Sequence, residues 1–158
     1  MANKSIGTLG TIPSLNIGGV VMTDLSNLIV LGANLAAGPT HWTTFREPNG
    51  TAGYEVTASK TFDIWAISVE RGAPTADRLH IFYTDNDLGL NTTEAKTNEV
   101  VIFGDAAIGF MTPLRVNGDR AVWNLMGKYK IPAGKYVSCS QGVSAGTNVM
   151  IYGYENAV

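Results

Sequence analysis

The sequence predicts an all-β fold, a β-sandwich of jelly-roll type with an extended N-terminal arm, and three observations carry that prediction. No segment combines a 3.6-residue apolar period with helix caps. About nine or ten short apolar segments, the longest about ten residues, follow one another at regular spacing between turn residues, as in a sandwich or barrel. The first 45 residues carry only two of the chain's 24 charged side chains, Lys4 and Asp24. A soluble surface is rarely so poor in charge unless something covers it. We therefore divide the chain into an arm, residues 1–26, and a single sandwich domain, residues 27–158. An immunoglobulin-like sandwich is the alternative architecture.

The arm has a triplet rhythm, with Ile6, Leu9, Ile12 and Leu15 at every third position. Neither the helical period nor the strand period produces this spacing. A polyproline-II-like chain, with three residues per turn, places all four along one edge. Ordering about a dozen residues costs roughly 1–2 kcal/mol each, whereas burying four aliphatic side chains returns roughly 1.5–3 kcal/mol each. The arm therefore needs another surface, either a neighbouring chain or its own body. Ile6, Leu9, Ile12, Leu15 and Ile17 are the candidate partner-contact residues.

Beyond the arm, Leu28, Ile29, Val30 and Leu31 mark a buried strand within residues 27–35, ended by Gly38-Pro39. Residues 42–45 form the next strand and lead to the turn Glu47-Pro48-Asn49-Gly50. Residues 54–56 are extended and lead to residues 61–69, where Phe62, Ile64 and Ala66 alternate with Trp65, Ile67 and Val69. Apolar on both faces, that segment is a central strand. In residues 78–84, Leu79, Ile81 and Tyr83 alternate with Arg78, His80 and Phe82, and a polar loop follows over residues 85–98. Further strands are expected over residues 99–103 and 110–116. Asn117-Gly118 provides a type I′ hairpin signal, and residues 121–130 return from it. Ile131-Pro132-Ala133-Gly134 is a turn, and residues 136–140 and 148–154 complete the set.

Composition excludes several classes of function. The net charge is −2 with no run of Lys or Arg, so a nucleic-acid partner, which needs clustered basic residues, is not expected. The most apolar stretch, residues 28–37, is too short to span a membrane and is interrupted by Gly32 and Asn34. Lys4 is followed by glycines and threonines rather than an apolar run, so no secretory leader is expected. The single Cys139 cannot form an internal disulfide. Its alternation in Tyr136-Val137-Ser138-Cys139-Ser140 places it with Val137 on one strand face, as a buried structural thiol.

The candidate catalytic motifs lack partners. Gly142-Val143-Ser144-Ala145-Gly146 matches a nucleophile elbow, but His41 and His80 both precede Ser144 and a strand follows it. Asp85, Asp87 and Glu94 could offer oxygens to calcium, but Gly89 and Lys96 stand where a calcium loop needs ligands. His80 reads as a strand-face residue. No cofactor, metal or catalytic residue is expected, and the protein is read as a non-enzyme. The sequons Asn49-Gly50-Thr51 and Asn91-Thr92-Thr93 fall in loops, unused without a secretory route. Trp65 and Trp123 read as core, with Trp42, Tyr152 and Tyr154 as further aromatic candidates.

Three stretches, Phe82-Tyr-Thr-Asp-Asn-Asp-Leu-Gly89, Ile131-Pro-Ala-Gly-Lys-Tyr136 and Ile151-Tyr-Gly-Tyr-Glu155, resemble the β-sandwich structural proteins of tailed phages, in particular head decoration (cement) proteins. The resemblance spans roughly residues 53–155. It implies a jelly-roll-like body, a homotrimer, extended termini lying on the capsid lattice, and no catalytic residues. The expected function is a virion structural protein on the capsid exterior, assembled in the host cytoplasm. Its partners would be the major capsid protein, reached through the arm, and sister subunits. The alternative is a carbohydrate- or receptor-binding tail module with an aromatic platform at Trp42, Tyr54 or Tyr154.

Overall fold

The computed structural model describes residues 14–17, 19–36, 42–71, 79–103, 115–117, 120–141 and 146–158, and no helix occurs among them. The described chain forms eleven strands: β1 Leu15–Ile17, β2 Val20–Met22, β3 Ile29–Leu35, β4 Trp42–Thr44, β5 Lys60–Arg71, β6 Leu79–Thr84, β7 Val100–Phe103, β8 Arg115–Asn117, β9 Arg120–Ile131, β10 Tyr136–Gln141 and β11 Thr147–Ala157. They pair antiparallel in a five-stranded sheet, β3-β11-β5-β9-β8, a four-stranded sheet, β4-β10-β6-β7, and the separate β1-β2 hairpin. The predicted all-β sandwich is the observed architecture.

Alternation explains the core. The large sheet contributes Leu31, Leu35, Phe62, Ile64, Ile67, Val149 and Ile151, and the small sheet contributes Ile81, Val137 and Cys139, with Phe45 just beyond β4. Cys139 is fully buried and free, and burial pushes its thiol pKa far up, leaving it inert. Cutting Cys139, Val137 and Ile81 off from water contributes about 25 cal/mol per Å² of apolar surface removed.

Four expectations need correction. Residues 54–56 make only a single bridge, Glu55 to Tyr136, rather than a strand, because Tyr54 and Val56 hydrogen-bond to loop backbone on either side. β5 and β9 each run twelve residues, longer than the expected ten. Asn117 is the last paired residue of β8, opposite Arg120, so the connection falls one residue later than the Asn-Gly signal implied. Residues 118 and 119 lie outside the described chain, as do residues 110–114 of the strand expected there.

The fourth correction concerns β5, which is central as predicted but does not keep one alternation throughout. Tyr152 pairs with Ala66 and Gly153 with Ile64, so Trp65 is left over as a β-bulge. On the other side, Ile64 faces Tyr129 and Ala66 faces Asn124, and Trp65 is again unpaired. An extra residue reverses the face of everything after it. Phe62, Ile64, Ile67 and Val69 therefore point into the core, whereas Ala66 packs in a second cluster outside the large sheet with Trp65 against it. Gly153 makes this possible, because a Cβ there would lie 2.8 Å from the Phe62 ring. Opposite Trp65, Met126 and Gly127 are consecutive left-handed residues, with φ of 45° and 75°. For methionine that conformation is strained.

Candidate binding groove and partner-facing surfaces

Each outer face of the sandwich carries a cover, and the candidate sites lie beneath and beside these covers. On the large sheet the cover is the hairpin. Leu15 pairs with Met22 and Ile17 with Val20, and the Asn16 side chain closes the turn by accepting the Gly19 N–H at 2.9 Å. Residues 15–22 are thus a short hairpin, not the polyproline-II-like edge expected for the arm. A two-stranded hairpin is marginal alone. This one is held by burying Val20 and Met22 against Ala66, with Leu15, Ile17, Leu28, Trp65 and Tyr152 packed around them. Each fully buried side chain contributes roughly 1.5–3 kcal/mol.

Two of the five expected partner-contact residues are therefore engaged on the chain's own body. Leu15 and Ile17 are half-buried in the hairpin cluster, while Ile6, Leu9 and Ile12 lie outside the described residues. The outward side of the hairpin is still apolar, with Val21 52% and Leu25 39% exposed. At the edge of the small sheet, Val100 and Val101 of β7 are 43% and 49% exposed.

The small sheet is covered by residues 85–99, which include the polar loop expected over residues 85–98. Leu88 is fully buried beneath it. The Leu88 N–H donates to Thr44 Oγ1 at 2.9 Å, and Thr44 Oγ1 lies 3.0 Å from Ser138 Oγ. Asn91 N–H donates to Thr43 Oγ1, and Trp42 Nε1 donates to the Glu94 carbonyl at 2.8 Å. Lys96 sits 4.3 Å from the Phe82 ring centroid and 4.5 Å from that of Trp42. The acids once weighed as calcium ligands hold this cover in place. Asp87 accepts from the backbone N–H groups of Gly53 and Gly89, at 2.9 and 2.8 Å. Partial burial opposes its charge, but those two bonds together with the Thr44 hydroxyl and the Arg46 charge outweigh it and keep the carboxyl below its ordinary range. Asp85 is held low by its ion pair with Lys135 and by Asn98. Among the described residues, no group of three His, Cys, Asp or Glu could hold a metal.

Several other candidates are accounted for by packing. Trp123 packs against the main core. Tyr54 meets Phe62 edge-on, and its hydroxyl donates to Glu155 Oε1 at 2.7 Å, so it is no platform. Trp42 is engaged with residues 94 and 96. His80 stands on β6 with Nε2 buried and without a partner among the described residues. His41 and Ser144, with most of the elbow motif, lie outside the described residues.

One constellation was not legible in advance. A groove of about 400 Å³ opens where the end of the hairpin and the turn after it meet β5 and β11, lined by Val21, Met22, Thr23, Asp24, Asn27, Trp65, Tyr154, Glu155 and Asn156. Trp65 and Tyr154 meet there edge to face, with centroids 5.6 Å apart and planes at 87°. Asp24 accepts from the Asn27 amide, at 3.0 and 3.3 Å, and from the Ser26 hydroxyl at 2.9 Å. Those bonds keep its carboxyl ionised to lower pH than usual. Tyr154 is pushed the other way, first by burial and then by the Asp24 charge, and stays protonated. Asn156 is anchored by its Nδ2 to buried Asp63, 3.1 Å away, and Glu155 accepts from Tyr54, Thr57 and Lys60. The sequence offers Tyr154 as an aromatic candidate, and a glycine inside a strand, as Gly153 is, often marks a bulge, but nothing in the sequence joins them to Trp65 and Asp24. Compared with known proteins, the chain matches no family model, no curated protein and no solved structure.

Proposed function

We propose that the protein is a virion structural protein, a trimeric capsid decoration protein that grips the major capsid protein through its N-terminal segment. The observation that carries this reading is the docked hairpin. It packs residues 15–22, the described part of the nearly uncharged N-terminal segment, on the outer face of the large sheet, next in sequence to Ile6, Leu9 and Ile12. Strand order supports the jelly-roll reading, with β3-β11-β5-β9 opposite β4-β10-β6-β7 and the chain crossing repeatedly between the two sheets. The low charge and the exposed valines of β7 favour subunit contacts, and the mild net negative charge favours the capsid exterior over a surface lining packaged nucleic acid. Three arms per trimer raise one another's effective concentration, so each can be weak.

The test is solution mass by light scattering, combined with binding to cognate capsids, for the full chain and for a chain lacking residues 1–13. The deletion stops short of the hairpin and spares its packing. The expected result is a trimer in both cases and capsid binding only with the full chain. A monomer at every concentration, or capsid binding that survives the deletion, would overturn the proposal.

A further inference from the structure

We infer that the groove between the hairpin and β11 is a binding site for a short neutral saccharide. This goes beyond the assembly reading and does not depend on it.

One distortion of the sheet, the bulge in β5 with the Gly153 that accommodates it, shapes this groove. The bulge in β5 turns Trp65 outward beside Ala66, when regular alternation would have sent one of them into the core. Its partner Tyr154 follows Gly153, the residue that lets β11 approach the bulge. Bulges commonly re-aim a side chain for use. Here the bulge and Gly153 expose two aromatic rings at a right angle, a corner against which the apolar face of a sugar ring can lie.

The polar groups select the ligand class. Asp24 is an ionised, exposed acceptor, fixed in orientation by Ser26 and Asn27. The Tyr154 hydroxyl, which lines the groove, keeps its proton and can donate. A polyol hydroxyl donates and accepts at one atom, so it can serve Asp24 and the Tyr154 hydroxyl together. No Lys or Arg lines the groove and the Asp24 carboxylate does, whereas that of Glu155 is paired with Lys60, so an anionic ligand meets a repelling charge and no cation to hold it. A wholly apolar ligand would strip water from Asp24 without replacing its hydrogen bonds. The volume, about 400 Å³, falls in the roughly 300–1,000 Å³ range of small-ligand sites.

The experiment follows the tryptophan indole NMR signals of the full chain, assigned through single Trp→Phe variants. The titrants are the methyl glycosides of glucose, galactose, mannose and N-acetylglucosamine, each up to about 50 mM, enough to detect the millimolar binding typical of a few contacts. At least one glycoside is expected to move the Trp65 signal saturably while those of Trp42 and Trp123 stay in place. Asp24→Ala, at an exposed position where folding is not at stake, is expected to weaken that binding about tenfold or more with an unchanged melting temperature. The inference is overturned if no glycoside moves the Trp65 signal, or if Asp24→Ala binds as well as the parent. It is also overturned if tetramethylammonium chloride competes for the groove, which would make it a cation cage instead. None of these outcomes affects the light-scattering and capsid-binding test of the assembly reading.

Discussion

The β1-β2 hairpin and residues 85–99 each cover one outer face of the sandwich, and they do so with different forces. The hairpin is held by Val20 and Met22 pressed onto Ala66, beside Trp65 and Tyr152. Residues 85–99 are held by a lattice of directed bonds, the Leu88 and Asn91 N–H groups donating to Thr44 and Thr43 and the Trp42 indole donating to the Glu94 carbonyl, with Asp85 and Asp87 tying the loop to Lys135 and Gly53. Apolar burial is non-directional and scales with area. Hydrogen bonds to buried groups fix a single geometry and penalise any departure from it. The contrast teaches that the apolar cover leaves a groove at its border, while the polar cover seals the sheet beneath it.

Three experiments would break or sharpen this contrast. The largest effect is expected from Met22→Ala, which leaves a void under the hairpin and should cost about 2–5 kcal/mol of its packing. Hydrogen exchange should show β1 and β2 opening while β5 and β11 remain protected. If their amides stay as protected as in the parent, the hairpin is not held by Met22. A smaller loss, about 1–3 kcal/mol, is expected for Thr44→Val. The substitution preserves shape but leaves the Leu88 N–H without its acceptor and Ser138 without its hydroxyl partner. Urea melts should report the loss, with faster exchange at Leu88 and Gly89. A neutral result would mean that the Thr44 bonds do not help to hold the loop.

The smallest effect is that of acid. Asp85 and Asp87 both titrate below their ordinary 3.8 in the fold, so the folded protein binds these protons less readily than the unfolded chain. Their contribution to stability is fully present above the ordinary value and is lost as pH falls through the lower folded values. Hydrogen exchange at residues 85–99 should therefore accelerate below about pH 3.8, while residues 15–22, which carry no ionisable side chain, keep their protection over the same interval. Equal loosening of both covers would remove the electrostatic half of the contrast.

Much of the fold could be read in advance because it is local. Leu79, Ile81 and Tyr83 alternate against His80 and Phe82 in the sequence as they do in β6. The turn at residues 47–50 closes with the Gly50 N–H on the Glu47 carbonyl, and Asn49 takes a left-handed φ of 67°. Val137 and Cys139 share the buried face their spacing implied. The candidate groove was not legible for the opposite reason. Its residues come from the end of the supposed arm, the middle of β5 and the end of β11, and Trp65 reaches the outer face only because one extra residue breaks the period of two.

By itself the sequence determined the fold class, the central place of β5, the buried thiol and the charge-poor N-terminus, since alternation, turn chemistry and composition are properties of neighbouring residues. Only the tertiary structure decided that residues 15–22 fold back as a hairpin, that residues 85–99 close over Phe82, and that Trp65 meets Tyr154 beside Asp24. Those outcomes rest on register between distant strands, where a single bulge accommodated by Gly153 reassigns every side chain beyond it.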